Sequence, residues 1–520
     1  MTIENTVLVL DFGSQVTQLI ARRVRELGVD SVVLPYHVAE EQVRAVNPRA
    51  IVLSGGPASV TGVDTPRAPA CVFTMGVPVL GICYGMQTMV AQLGGTVVNG
   101  QTHEFGHTTL EYTRHAALLG SLALDPTVWM SHGDHVTRLP KGFKTLATSA
   151  GCPHAMIADD KRRFYAVQFH PEVTQTIGGK QFLHYFVKQV AGCVSTRSAT
   201  SIRKQKVADI QAQVGEHGRV LCGLSGGVDS AVTAMLVHEA IGDRLQCVHV
   251  DHGLNRKGES EQVAALFRQQ FHIPLRVENV QELFLRKLHG VRNPERKRKI
   301  IGRTFIQVFE RAARELGQAD FLAQGTLYPD VIESVSSSGK SVTIKSHHNV
   351  GGLPARMTMR LVEPLRDLFK DDVRALGREM GLPEHFVRRH PFPGPGLAIR
   401  IPDASVVDWK LAMLRDADAI FLDEIAKAEL YDSISQAFAI FDSTRSVGVL
   451  GDARVVGYVC VLRAFQTDDF MTGEAYAADP HWLKQVVTRI CNEVVGPHGQ
   501  KFTRGVYDCT SKPPGTTEWE

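Results

Sequence analysis

The reading turns on Leu221-Cys222-Gly223-Leu224-Ser225-Gly226-Gly227-Val228-Asp229-Ser230-Ala231-Val232. Val220 to Leu224 is an apolar run of strand length, and Ala231 to Ala240 has helical composition and spacing. A strand, a glycine loop and a helix start, in that order, aim main-chain N–H groups at an anion. Gly226 and Gly227 can present successive N–H groups as a concave nest. The helix start adds unpaired N–H groups and the positive end of a dipole. Ser225 and Ser230 add hydroxyl donors, and Asp229 can hold a hydrated metal ion beside phosphates. An ordinary tight turn is the plainer alternative; the run Ser-Gly-Gly-Val-Asp-Ser in this context argues against it.

No lysine follows the glycines, so this is not the P-loop pattern G-x-x-x-x-G-K-[ST]. The stretch resembles the S-G-G-x-D-S loop of the N-type ATP pyrophosphatases, which cut ATP between the α and β phosphates. The resemblance implies ATP bound by Ser225, Gly226, Gly227, Val228, Asp229 and Ser230, with Mg²⁺ carried by the nucleotide and met by Asp229. No tightly bound organic cofactor is expected.

The chain has 520 residues, enough for about three domains. It is 44% hydrophobic and 21% charged, as soluble domains with real cores are. A net charge of +3 does not indicate a general nucleic-acid surface, though it allows a local basic pocket. The nine cysteines include no C-x-x-C pair, which suits buried thiols in a reducing compartment. Val7-Leu8-Val9-Leu10 stops at Asp11 and reads as a strand rather than a signal peptide. No apolar run approaches the ~18 residues of a membrane span. A cytoplasmic protein that does not bind membranes or nucleic acid is expected.

The first third alternates strands and helices: Thr6 to Leu10, then Gln18 to Leu27, then strands at Ser31–Leu34, Ala50–Leu53 and Val77–Ile82. Such alternation argues for a parallel sheet whose site lies at the carboxyl ends of its strands. Cys83 sits at one such end in Gly81-Ile82-Cys83-Tyr84-Gly85. Flanking glycines allow the cramped turn of a nucleophile elbow, and a helix start favours thiolate. Downstream, His170-Pro171-Glu172 reads as the end of a strand, where residues two apart share a face. His170 can take the thiol proton and Glu172 can orient the imidazole. Gly55, Gly56 and the N–H of Tyr84 are oxyanion donors by position. His132 and His135 read as structural. With Ser54-Gly55-Gly56-Pro57, this segment resembles the class I glutamine amidotransferases, which implies glutamine hydrolysis through a thioester at Cys83.

Ala191 to Thr200 is small and polar and reads as a linker. The strand Leu245–Val250 should neighbour the opening loop, placing Val250 near the adenosine. Gln324 and Gly325 lie in a strand-to-turn element with the same orientation. Asn293-Pro294-Glu295-Arg296-Lys297-Arg298-Lys299 opens a helix and is either a solvated face or a phosphate contact. His347-His348 invites a metal reading, but adjacent residues on an extended chain face opposite ways and no third ligand is near. That segment reads as a lid with Lys345 reaching the phosphates. His390 to Gly396, with three prolines and two glycines, is a stiff crossing. Arg445–Val449 and Gly457–Arg463 read as paired strands, and Trp482–Val494 as a helix.

The whole arrangement resembles the glutamine-hydrolysing GMP synthetases. The motifs are those of the amidotransferase segment, Ser225–Ser230, Lys345–Gly352, His390–Gly396, and Ser511-Lys512-Pro513-Pro514 with Glu518-Trp519-Glu520. The resemblance implies that ATP adenylylates O2 of xanthosine 5′-monophosphate (XMP) and ammonia displaces AMP to give GMP. It carries XMP binding onto Arg298, Gln436, Asp452, Lys512 and Glu518, and implies a homodimer through the third domain. The expected fold is α/β: two doubly wound, mostly parallel-sheet domains (1–195 and 196–396) and a small α+β domain (397–520). The partners expected are small molecules: XMP, ATP and glutamine. Another adenylylating ligase, such as an NAD synthetase, is the alternative enzyme; those usually carry a different glutaminase. A nucleotide-sensing scaffold with dead sites is disfavoured by intact Cys83, His170, Glu172 and Asp229.

Overall fold

The computed structural model describes residues 5–14, 16–62, 64–113, 115, 124–317, 319–328, 330, 359–467 and 473–520. Lys345 and the expected lid lie outside these. The chain divides into two compact units, 1–202 and 203–520.

In the first unit the strands are β1 (Thr6–Asp11), β2 (Asp30–Pro35), β3 (Ala50–Leu53), β4 (Val79–Ile82), β5 (Thr96–Thr109), β6 (Glu111–Tyr112), β7 (Thr127–Arg138), β8 (Lys144–Thr148), β9 (Met156–Asp159) and β10 (Phe164–Val167). Eight of them form one sheet in the order β2-β1-β3-β4-β10-β9-β8-β6. The run from β2 to β10 is parallel and the remaining pairings are antiparallel. Val7–Leu10, Ala50–Leu53 and Val79–Ile82 are buried throughout, as strands covered on both faces must be. Helices α1 (Thr17–Glu26), α2 (Glu40–Val46) and α3 (Tyr84–Gln92) connect the parallel strands. β5 and β7 form a separate antiparallel ribbon. The closing helix α4 (Gly179–His184) widens into a π-helical turn over Tyr185–Val190.

In the second unit a five-stranded parallel sheet runs β13-β12-β11-β14-β15. Its strands are β11 (Val220–Leu224), β12 (Leu245–Asp251), β13 (Leu275–Asn279), β14 (Phe321–Ala323) and β15 (Arg360–Val362). The strand order reverses at β11, where ligands of such sheets bind. α5 (Ala199–Val214) precedes it and α6 (Val228–Ile241) follows it. α7 (Glu259–Ala265), α8 (Gln281–Leu288), α9 (Pro294–Glu315), α10 (Lys370–Glu379) and α11 (Glu384–Val387) complete this part. Asn293 caps α9 by accepting from the Arg296 N–H at 2.9 Å, with Pro294 pre-set at the first helical position.

The remainder is a second sheet of β16 (Gln436–Leu450), β17 (Ala453–Gln466), β18 (Glu474–Ala475) and β19 (Phe502–Tyr507). β16 and β17 are an antiparallel hairpin with a bulge between Asp442 and Arg445, and β19 joins β17 in parallel. α12 (Asp408–Lys427) and α13 (Pro480–Glu493) pack against it. One buried core runs from Leu221 and Phe309 through Leu397 and Phe421 to Leu462 and Val486. It therefore joins the stretches that the sequence places on either side of residue 396. Among the described residues, no helix is long and apolar enough to cross a membrane.

Candidate functional site

β4 and β10 lie side by side and parallel, with Ile82 opposite Val167, so the chain leaves both at one edge. Cys83 follows β4 and its N–H donates to Val167 O at 2.8 Å. Its backbone is left-handed, φ +52°, a conformation that non-glycine residues keep only where their surroundings impose it. The turn is tight enough to demand both glycines. A Cβ on Gly85 would stand 2.2 Å from Leu53 O, and one on Gly81 2.7 Å from Gly85 O.

His170 and Glu172 follow β10 in a bend, not on a strand as the sequence suggests. They meet nonetheless, His170 Nδ1 to Glu172 Oε1 at 2.8 Å. Glu172 is fully buried and, among the described residues, its Oε2 has no hydrogen-bond partner. Burial pulls the His170 imidazole down, but the Glu172 charge and hydrogen bonds to Cys83 and Glu172 outweigh it, and its pKa stands well above the usual value. Cys83 Sγ lies 3.7 Å from both Ser131 O and Gln168 Nε2. Among the described residues the N–H groups of Gly56 and Tyr84 have no hydrogen-bond partner. A Cβ on Gly56 would come within 2.6 Å of Phe12 O.

Gln168, Gln87 and Asp134 were not singled out by sequence. Gln87 Nε2 donates to Asp134 O at 2.9 Å and to Gln168 Oε1 at 3.3 Å, tying α3 to β7 behind Cys83. Gln168 and Gln87 are a buried polar residue after a strand and one inside an apolar helix turn, which is the signal that marks them. His132 is buried, with Nε2 3.1 Å from Glu104 Oε2.

The second constellation forms where β11 ends. Gly226 takes φ +82°, and the N–H groups of Gly226, Val228 and Asp229 have no partner among the described residues. Ser225 and Ser230 turn onto the loop itself: their hydroxyls are 3.0 Å apart, and Ser230 Oγ accepts from the Ser225 N–H at 3.2 Å. A Cβ on Gly325 would stand 3.1 Å from the Asp229 carbonyl carbon, so the end of β14 closes on the start of α6. Val250 is buried at the end of the neighbouring β12, and the Gln324 N–H donates to Val362 O at 3.0 Å.

Asp229 Oδ2 pairs with Lys370 Nζ at 2.5 Å, whereas Oδ1 is buried without a partner among the described residues. Lys370 opens α10, an electrostatically unfavourable place for a cation, and that is the clue the sequence offers. Arg389 also escaped the sequence reading. It donates to Gly226 O at 2.9 Å and pairs with Glu259 at 3.0 Å, gripping the loop from beneath.

Of the five residues assigned to XMP, four gather around segment 511–520. Gln436 Nε2 donates to Glu518 Oε1 at 2.8 Å, Arg298 donates to the Glu520 main-chain oxygen, and Lys512 belongs to the segment. Asp452 stands apart from these four: it lies in the turn joining β16 to β17, a strand length of roughly 40 Å from Gln436.

The fold and site define a class-I glutamine amidotransferase joined to a PP-loop domain. The family described as "Glutamine amidotransferase class-I" matches residues 8–190, "PP-loop domain" matches 199–375 and "GMP synthase C terminal domain" matches 423–519. Three curated relatives carry the name GMP synthase [glutamine-hydrolyzing]. That of Bartonella henselae is 56% identical over 99% of both chains. That of Rhodopseudomonas palustris is 57% identical over 100% of this chain and 95% of its own, and that of Sinorhizobium fredii 56% over 99% of each. The chain belongs to the glutamine-hydrolysing GMP synthase family.

Proposed function

We propose that this chain is a ligase that makes GMP from XMP, with glutamine as the nitrogen source and ATP as the activating reagent. One observation carries the reading: a single chain holds both a buried Cys83–His170–Glu172 constellation and a Ser225–Ser230 loop whose N–H groups at Gly226, Val228 and Asp229 have no partner among the described residues. Cys83 Sγ attacks the side-chain amide carbon of glutamine while His170 takes the thiol proton and returns it to departing ammonia. The N–H groups of Gly56 and Tyr84 receive the oxyanion, and water then releases glutamate from the thioester. In the second unit the loop holds the ATP phosphates with Val250, Gln324, Gly325 and Lys345 around the nucleotide. O2 of XMP attacks the α-phosphorus, pyrophosphate leaves, and ammonia then displaces AMP from C2. Arg298, Gln436, Lys512 and Glu518 hold XMP.

Mg²⁺ fits Asp229, whose Oδ1 has no hydrogen-bond partner among the described residues. Among the described residues no three His, Cys, Asp or Glu side chains gather as a metal cage. Mg²⁺ needs none, since it commonly takes one or two carboxylates and completes its shell with phosphate oxygens and water. When bound it would neutralise the pyrophosphate charge.

The working division is 1–195 for glutamine hydrolysis, 196–396 for ATP and 397–520 for XMP and pairing of two chains. A homodimer is supported by the β16–β17 arm, where Val447, Val449 and Val456 are 46, 76 and 48% exposed. A cytoplasmic location suits thiols that are all unpaired. The assay is direct: with XMP, ATP, Mg²⁺ and glutamine, the protein should form GMP, AMP, pyrophosphate and glutamate in equal amounts. ADP as the nucleotide product, or no reaction with XMP, would overturn the proposal.

A further inference from the structure

Three cations with almost no exposure fasten segment 511–520: Lys297 at 0%, Arg400 at 0% and Arg463 at 1%. Arg463 donates to Thr510 O, Thr516 O and Thr517 O at 2.9–3.0 Å. Arg400 pairs with both carboxylate oxygens of Glu518, at 2.9 and 3.1 Å. Lys297 makes three hydrogen bonds, to Ala398 O at 3.2 Å, Ile401 O at 2.7 Å and Glu520 Oε2 at 2.6 Å. An ammonium has three protons, so Lys297 is saturated, and only Glu520 among its acceptors is an anion. Burial pulls the Lys297 ammonium towards losing its proton, and the Glu520 carboxylate opposes this.

Glu520 does more than balance a charge. Its Oε1 accepts the N–H of Asp403 at 2.7 Å, where the chain is left-handed at φ +44°. Its main-chain oxygen accepts from Arg298, next to Lys297 on α9. One residue therefore ties the segment carrying Lys512 and Glu518 to the helix carrying Arg298.

We infer that Glu520 is a positioning residue of the XMP site: its carboxylate, buried against Lys297 and the Asp403 N–H, sets the pose of Lys512, Glu518 and Arg298 together. The inference rests on the assignment of those residues to XMP. A buried ion pair that loses one partner leaves an uncompensated charge, whereas loss of both can be nearly neutral. That contrast supplies the test.

The full chain is assayed with ammonium salts as the nitrogen source, so that glutamine chemistry does not enter. Glu520→Gln should raise KM for XMP at least tenfold while KM for ATP stays within twofold. Glu520→Asp should recover part of the loss. Lys297→Met with Glu520→Gln should unfold at a higher temperature than Glu520→Gln alone, yet keep a raised KM for XMP, because the ion pair that fixes the end of the segment against α9 is still missing. If Glu520→Gln does not fold, the double variant carries the KM test. An unchanged KM for XMP, or KM for ATP rising in step with it, overturns the inference. Lys512→Ala is the control: if it leaves KM for XMP unchanged, the XMP assignment fails and the inference fails with it.

Discussion

In the function proposed, Glu172 acts on glutamine only through His170, and its burial makes that role measurable. The Glu172→Gln variant keeps the side-chain shape and removes the charge that supports the imidazolium. Glutamine turnover should fall by a factor on the order of 10²–10⁴, as when a triad carboxylate is neutralised. GMP formation from ammonium salts should be untouched. A second prediction concerns two buried histidines of unit 203–520. Burial, with smaller contributions from His249 and Arg415, lowers His252 to about 4, and burial lowers His390 to about 4. Both are neutral when folded, while the unfolded chain protonates them near 6.5. The unfolded state then binds more protons between about pH 6.5 and 4, so stability is full above that window and falls as pH drops through it. The loss should be on the order of a few kcal/mol in all. His252 Nδ1 accepts the Leu254 N–H at 3.0 Å, a bond that an asparagine oxygen can also accept. His252→Asn should therefore flatten the pH dependence of the unfolding temperature. An unchanged slope would mean that His252 takes up its proton in the folded state.

At the scale of elements, the two turns at strand ends carry the chemistry proposed, and both were legible because their glycines are obligatory. Gly81 and Gly85 flank Cys83 because any Cβ there meets main-chain atoms at 2.7 or 2.2 Å. Gly85→Ala should abolish glutamine use and spare the ammonium reaction. Loss of both would place the damage in folding of the whole chain. Gly226 needs its φ of +82°, which costs an alanine roughly 1–2 kcal/mol. A Cβ there would also stand 3.2 Å from Val263 Cγ2. Gly226→Ala should raise KM for ATP with either nitrogen source. The sequence was less informative about what lies beneath these turns. Lys370, Arg389 and Glu259 come from elements far along the chain, and a charged residue does not announce a partner that only the fold supplies. His170-Pro171-Glu172 was legible as a pair although the strand geometry assigned to it was wrong. A bend after β10 brings the two side chains together just as well.

For the whole molecule, the alternation of strands and helices announced both parallel sheets, and the switch in strand order falls where the Ser225–Ser230 loop begins. The hairpin of β16 and β17 was legible as paired strands, but its length was not. That length sets Asp452 at the far end of the hairpin from Gln436. Asp229 and Cys83 stand in different units, and each should fail in its own way. Asp229→Ala should end AMP production from either nitrogen source.

The measurement that tests the account most directly compares nitrogen sources for Cys83→Ala. The variant should form no GMP from glutamine and normal amounts from ammonium salts, with AMP and pyrophosphate released in step. Retained glutamine use, or loss of the ammonium reaction as well, would contradict two separate sites joined in one ligase.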